Sequence, residues 1–362
     1  MRRSNVILVL ALTALAVIFF TMVAQAYVPR YSPTEIAVDN GGNVYTIMFI
    51  ESSTGEGIFA YAANGTEIIS IRRPRCSDVA IDSHGIVYVI NLAQKQVERL
   101  EKNGTFSVVW RDDNPDHFIN YFTTDRDDNI LVSDFNYSQA EIKVTDGWIL
   151  KISPEGKVLD TIGSSPAVSL NKPFRMSASN NGSIYLTNFS RCFSVIYPDG
   201  NGSTIIPTGN DNGTFNQVVT VEAGYDGYLY IGEMTNGSVQ KLAEDGTLVA
   251  KWDGCGPDRF LTPTSIVACR DGRVYVSDMR NQRIVWFDST RNSFGENFTD
   301  NIAGKGVLWD NVIAGDNNSN SFRYQEQDGG GKIVTPGFGV EFTMAGICLA
   351  GAVLCLSRIR KN

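Results

Sequence analysis

Histidine is almost missing from this chain of 362 residues; there are two, His84 and His117. A zinc centre built from three imidazoles is therefore excluded by count. Cysteine is sparse as well. Of the six, Cys348 and Cys355 lie in an apolar C-terminal run, and Cys76, Cys192, Cys255 and Cys269 show no C-x-x-C spacing, so a cysteine zinc site is not expected. No G-x-S-x-G elbow and no phosphate-cradling glycine loop occurs. Basic residues are in the minority, 31 against 39 acidic ones. That balance opposes nucleic-acid binding, which rests on neutralising phosphates.

What the chain does have is a repeat. An apolar run, a turn of the form Asp-x-x-Gly and a second apolar run recur six times. The clearest copies are Ile36–Tyr45, Val79–Tyr88 and Ile266–Tyr275; looser ones surround Leu131, Tyr185 and Tyr230. The marker position falls at 45, 88, 131, 185, 230 and 275, in steps of 43, 43, 54, 45 and 45. Each copy reads as two strands joined by a tight hairpin, with glycine supplying a positive φ. A third apolar run follows, then Asn64-Gly65, Asn103-Gly104, Glu155-Gly156, Asp199-Gly200 or Asp245-Gly246, and a fourth strand. Four antiparallel strands per unit at this period predict an all-β fold, a six-bladed β-propeller, over residues 27–312.

The pattern Pro-x-x-Ile-Ala-Val-Asp-x-x-Gly-x-Val-Tyr at Pro33–Tyr45 resembles the NHL-repeat family of six-bladed propellers. The resemblance covers roughly residues 30 to 290. It implies a binding platform for most members, and a lyase or lactonase for some relatives.

The ends of the chain carry addresses. Arg2-Arg3, an apolar run from Val6 to Val23 and Ala24-Gln25-Ala26 form a secretory signal, with cleavage expected after Ala26. The rival is an uncleaved anchor. Residues 313–335 are polar and read as a flexible stalk. Residues 336–362 open on Pro336-Gly337-Phe338, continue as a mostly apolar span and end with Arg358, Arg360 and Lys361. Basic residues after such a span stay cytoplasmic, which puts the bulk of the chain outside. This tail resembles the PGF-CTERM sorting signal of archaeal surface proteins. The resemblance implies removal by an archaeosortase-like enzyme and replacement by a lipid anchor; a retained membrane helix gives the same topology.

Without both ends the chain keeps 26 basic and 38 acidic residues. Four cysteines outside the cell permit two disulfides in three pairings. Ten glycosylation sequons stand at Asn64, Asn103, Asn136, Asn181, Asn188, Asn201, Asn212, Asn236, Asn297 and Asn317. Some are expected to carry glycan, although an Asn-Gly-Thr hairpin also generates the motif for structural reasons.

Two rings of side chains are candidates for a site. Three residues past each marker stand Met48, Asn91, Asp134, Asn188, Glu233 and Asp278. Ten residues before it stand Glu35, Asp78, Tyr121, Arg175, Thr220 and Ser265. Both rings are expected at the channel mouth away from the Asp-x-x-Gly turns. Glu35, Asp78, Asn91, Asp134, Arg175, Asn188, Glu233 and Asp278 are the predicted ligand-binding residues; the competing reading is that the first ring caps local turns. An insertion between Asp134 and Trp148, and a smaller one at Glu51–Glu56, are expected beside the same mouth.

Function divides two ways. The first is a non-catalytic surface platform for a protein, glycan or small ligand. The alternative is an extracellular lyase or lactonase-like hydrolase, with Glu35, Asn91, Asp134 and Glu233 holding a divalent metal. No cofactor motif is present; Ca²⁺ in the channel is the one candidate, without a calcium-loop spacing. His84 reads as a solvated turn residue, and His117 as at best one ligand.

Overall fold

The computed structural model describes residues 31–297, apart from 51–54, 74, 139–142, 166, 171–174, 207–214, 216, 256–257 and 291–292. The signal segment with Ala24 and Ala26, the stalk, the Pro336-Gly337-Phe338 tail, and the sequons at Asn212 and Asn317 lie outside the described residues.

Six four-stranded antiparallel sheets follow one another along the chain. Blade one is β1 (Tyr31–Val38), β2 (Val44–Ile50), β3 (Gly55–Tyr61) and β4 (Glu67–Arg72). Blade two is β5 (Cys76–Ile81), β6 (Val87–Asn91), β7 (Gln96–Leu100) and β8 (Phe106–Arg111). Blade three is β9 (His117–Thr124), β10 (Ile130–Ser138), β11 (Lys143–Ile152) and β12 (Val158–Gly163). Blade four is β13 (Arg175–Ala178), β14 (Ile184–Thr187), β15 (Phe193–Ile196) and β16 (Gly202–Ile205). Blade five is β17 (Val218–Ala223), β18 (Leu229–Glu233), β19 (Ser238–Leu242) and β20 (Leu248–Trp252). A two-stranded ribbon, β21 (Gly254–Cys255) with β22 (Asp258–Arg259), leads to blade six: β23 (Pro263–Ala268), β24 (Arg273–Asp278), β25 (Arg283–Asp288) and β26 (Ser293–Asn297).

The hairpins are those the sequence calls for. Gly42, Gly85, Gly182, Gly227 and Gly272 have φ between 78° and 88°. Copy three has no glycine there, and Asp128 takes φ 63° in its place. Aspartate tolerates the left-handed region better than most residues. That is why the copy looks irregular in sequence and regular in space. The copy-three insertion extends the β10–β11 hairpin, whose register runs from Ile130↔Ile152 out to Ser138↔Lys143.

The core lies between blades. Six apolar clusters alternate with the six sheets, and each joins neighbours in chain order. One packs Ile36, Val44 and Phe59 of blade one on Tyr275 and Ile284 of blade six. The next packs Ala37, Ile47 and Ile58 on Val79 and Val89 of blade two. Each fully buried aliphatic or aromatic side chain contributes on the order of 1.5–3 kcal/mol, and five of the marker positions supply buried ones: Tyr88, Leu131, Tyr185, Tyr230 and Tyr275. Each blade is completed by its own consecutive strands, so no strand is exchanged at closure. Closure rests on packing and on bonds between ends of the chain: Ser277 Oγ donates to Pro33 O at 2.7 Å, and Ile36 N–H donates to Ser265 Oγ at 3.2 Å. Outer strands such as β12 are largely exposed.

Cys76, Cys192 and Cys269 are free thiols. The side chain of Cys255, the fourth cysteine of the expected two disulfides, lies outside the described residues.

Candidate functional site

The inner strands β1, β5, β9, β13, β17 and β23 line a central channel. In five of them the pairing with the second strand slips. The slips lie at Pro33/Glu35, Cys76/Val79, opposite Val132/Asp134, at Val218/Thr220 and at Pro263/Ser265. A bulge re-aims the side chains beside it. Here those are members of the predicted inner ring. Glu35, Asp78, Tyr121, Arg175, Thr220 and Ser265 are all buried.

Their centre is an ion pair across the axis. Both terminal nitrogens of Arg175, in blade four, donate to the two carboxylate oxygens of Glu35, in blade one. The guanidinium lies over the Tyr121 ring, 5.1 Å from its centroid. Burial pushes the Glu35 carboxyl up while Arg175 pulls it back. The same pairing holds Arg175 protonated against its own burial. Asp78 accepts the Val79 N–H at 2.8 Å and the Phe122 N–H at 3.0 Å. Burial, then the nearby Glu35 charge, raise it well above the carboxylate range. The floor thus gathers two carboxyl groups and one guanidinium, with Glu35 and Arg175 paired. Arg175 Nε is buried and has no hydrogen-bond partner.

Above this floor a cavity of about 400 Å³ opens toward the Asp-x-x-Gly turns. Ser177 and Glu222 stand on its wall. Ser177 Oγ donates to Glu222 Oε2 at 2.8 Å and accepts the Ala223 N–H at 3.0 Å. Loss of solvation lifts the Glu222 carboxyl to about 7, against a partial offset from Ser177 and the Ala268 backbone. A carboxylate tuned to neutrality inside a cleft has the proton affinity of a general acid or base. Ser177 is two residues from Arg175 on β13, so both point to one side of that strand.

The rim is built from the turns. Asp39 accepts the N–H groups of Gly41 and Asn43 at 2.8 and 2.9 Å. Asp82 and Asp125 repeat the arrangement in the next two blades. In blade five the acid is displaced: Gly224 holds the first turn position, and Asp226 takes the Tyr228 N–H and the Tyr230 hydroxyl. Arg270 lies over Tyr225, 4.6 Å from the ring centroid, at the cavity edge.

The structure brings Glu35, Asp78 and Arg175 together and separates them from the other five predicted residues. None of Asn91, Asp134, Asn188, Glu233 or Asp278 lines this cavity. The two rings do not share a mouth: the inner ring lies on the first strands around the cavity floor, while Asn91, Glu233 and Asp278 end their second strands, Asn188 follows β14 and Asp134 sits mid-strand in β10. For the same reason Glu35 cannot join Asn91, Asp134 and Glu233 around one metal. Glu233 accepts the backbone N–H groups of Gln217, Thr235 and Asn236. Asp278 accepts those of Leu261 and Thr262, and also holds Asn281 and Arg283. Asn91 bonds Glu98 and Gln94, and Asn188 is exposed. Asp134 accepts Trp148 Nε1–H at 3.0 Å, and burial, then Asp112, raise its carboxyl to about 6. Sequence reasoning missed Ser177 and Glu222. Their signal was a polar run at one position of three adjacent copies, Thr123, Ser177 and Glu222, where the other copies have Ala37, Ala80 and Val267.

Nor does the channel floor fit a divalent cation. Glu35 is committed to Arg175, whose guanidinium holds the cationic place, and Asp78 is committed to backbone N–H groups.

Asn64, Asn103, Asn181, Asn188, Asn201 and Asn236 are exposed, while Asn136 is partly buried. In β26 Asn297 pairs with Val285. Asn64 and Asn103 accept the N–H groups of Thr66 and Thr105, so these sequons also cap their own turns.

No family model matches this sequence, and no curated protein matches it either. Solved structures do. A virginiamycin B lyase from Staphylococcus aureus with quinupristin is 17% identical, with a TM-score of 0.51 over 74% of this chain and 84% of that one. A gluconolactonase from Xanthomonas campestris is 12% identical, with a TM-score of 0.52 over 72% and 86%. A calcium-binding regucalcin from Agrobacterium tumefaciens is 14% identical, with a TM-score of 0.50 over 68% and 82%. At such identities the likeness establishes the fold, a six-bladed propeller.

Proposed function

We propose that this propeller is a lactonase- or lyase-like enzyme whose site is the cavity above the Glu35–Arg175 floor. The observation that carries the reading is the Ser177–Glu222 pair on the cavity wall, where loss of solvation lifts the Glu222 carboxyl to about 7. The solved structures of a lyase and a gluconolactonase on the same fold support it as analogy. A volume of about 400 Å³ suits a small molecule. For a lactone, ionised Glu222 takes a proton from water as that water attacks the acyl carbon. The ring C–O bond then breaks, and the same proton passes to the departing alkoxide oxygen. Arg175, paired with Glu35, fixes the charge of the floor beneath the substrate. Ser177 orients the acid. No step requires a metal. The setting we propose is the cell surface: the signal segment, the acidic exterior, the exposed sequons and the Pro336-Gly337-Phe338 tail support secretion and a membrane or lipid anchor.

The test is hydrolysis or elimination measured on a panel of small lactones and cyclic esters. Turnover by wild type that is lost in Glu222→Gln, with the fold retained, supports the enzyme. Binding of a panel member with no turnover in either protein returns the protein to a platform role.

A further inference from the structure

We propose a second site, a transition-metal centre formed by Asp112, His117 and Asp134 on the face away from the turns. It is independent of the channel. Asp112 follows β8, His117 opens β9 and Asp134 lies in β10, so the centre ties the loop between blades two and three to the body of blade three.

Three observations carry it. The first is convergence: one ligand atom from each residue lies within 4.8 Å of the others. His117 Nδ1 is 3.1 Å from Asp112 Oδ2 and 3.4 Å from Asp134 Oδ2. Ligands at about 2.1 Å from one ion stand about 3.0 Å apart in octahedral geometry and about 3.4 Å apart in tetrahedral geometry. The second is unsatisfied burial. Asp134 Oδ1 is a buried oxygen without a hydrogen-bond partner, and buried Asp112 Oδ2 faces only His117 Nδ1. The two carboxylate side chains are 2% and 9% exposed. Burying such an oxygen unpaired costs about 1–3 kcal/mol, and more when it is charged. A cation removes that cost.

The third is an outer shell of the kind that orients metal ligands. Trp148 Nε1–H donates to Asp134 Oδ2 at 3.0 Å. The Trp148 ring meets the His117 ring edge-on, with centroids 4.8 Å apart. The Asn114 amide is 2.8 Å from His117 Nε2. Asn114 Oδ1 accepts the Asp116 N–H at 3.1 Å, so its Nδ2–H faces Nε2 and the proton sits on Nδ1 in the metal-free chain; an ion bound at Nδ1 displaces that proton and turns the Asn114 amide.

One imidazole with two carboxylates is a donor set for Zn²⁺, Mn²⁺ or Fe²⁺ rather than for Ca²⁺ or Mg²⁺, which prefer all-oxygen sites. Three protein ligands leave a further position for water or an exogenous ligand. The other convergent group, Asp82, His84 and Asp128, lacks this logic. Its carboxylates already accept backbone and hydroxyl donors, and His84 is exposed.

The experiment uses the full chain without a histidine tag, stripped with chelator and dialysed against Zn²⁺ or Mn²⁺. Metal is counted by mass spectrometry, and Co²⁺ quenching of tryptophan fluorescence is followed in parallel. The expected result is one equivalent per chain. Affinity should fall about a hundredfold or more in Asp112→Asn and His117→Ala. Circular dichroism checks the fold. Asp112 and His117 lie at a loop and a strand start, so they remain informative if Asp134→Asn does not fold. Wild type without bound metal, equal binding by wild type and both ligand variants, or a preference for Ca²⁺ over Zn²⁺ and Mn²⁺ each overturns the proposal.

Discussion

Arg175 and Glu35 are 140 positions apart in the chain, yet they form a two-pronged ion pair across the propeller axis, joining blades four and one. Neighbouring blades already share apolar cores, whereas this pair couples opposite ones. Removing one partner leaves a buried charge without compensation. Arg175→Ala is expected to cost about 3–5 kcal/mol in urea denaturation. The apolar replacement Glu35→Leu with Arg175→Met should recover most of that loss. Equal damage in the single and double variants would show that the pair is held by shape and not by charge.

Glu222 makes stability depend on pH with a definite sign. Its carboxyl is raised to about 7 in the folded chain, from an ordinary value of 4.5. Below about 4.5 the acid is neutral folded and unfolded, and its contribution is complete. As pH rises toward 7 the unfolded chain releases the proton more readily, so the contribution is lost. The melting temperature of wild type relative to Glu222→Gln should therefore fall from pH 5 to pH 8. A flat difference would place Glu222 in water.

The turn glycines provide a graded test of blade register. Gly85 has φ 79° with open space around a would-be Cβ, so Gly85→Ala should cost about 1 kcal/mol through conformation alone. Gly156 has φ 88°, and a Cβ there would stand 2.0 Å from Val109 O of blade two. Gly156→Ala should cost clearly more, because the contact between blades must open as well. Thermal melts that rank the two in the opposite order would count against this register.

The tail makes its own prediction. If residues after Pro336-Gly337-Phe338 are exchanged for lipid, peptide mapping of native membranes should recover none of Met344–Arg358, while the propeller partitions with the membrane. Recovery of those peptides would indicate a retained helix. Protein in the soluble cytosolic fraction would contradict both. The same digest reads glycan occupancy at Asn64, Asn103, Asn181, Asn188, Asn201 and Asn236, the exposed sequons.

By itself the sequence determined the blade. A marker tyrosine such as Tyr88 two strands from the core edge, a turn aspartate such as Asp82 and a glycine such as Gly85 are local instructions, satisfied within about ten residues. Repetition carries them round the ring. The polar character of the inner ring was legible for the same reason, since Glu35, Asp78 and Arg175 recur at one register position. Tertiary structure alone decided what that ring does. Whether Glu35 meets a metal, a ligand or Arg175 depends on which blade lies opposite, and no local pattern records that. The bulges that move the ring inward do not show in a hydrophobic pattern either. Glu222 was hidden because its property is an environment: a carboxylate becomes an acid of neutral pH through desolvation, and desolvation is imposed by blades four and six folding against β17.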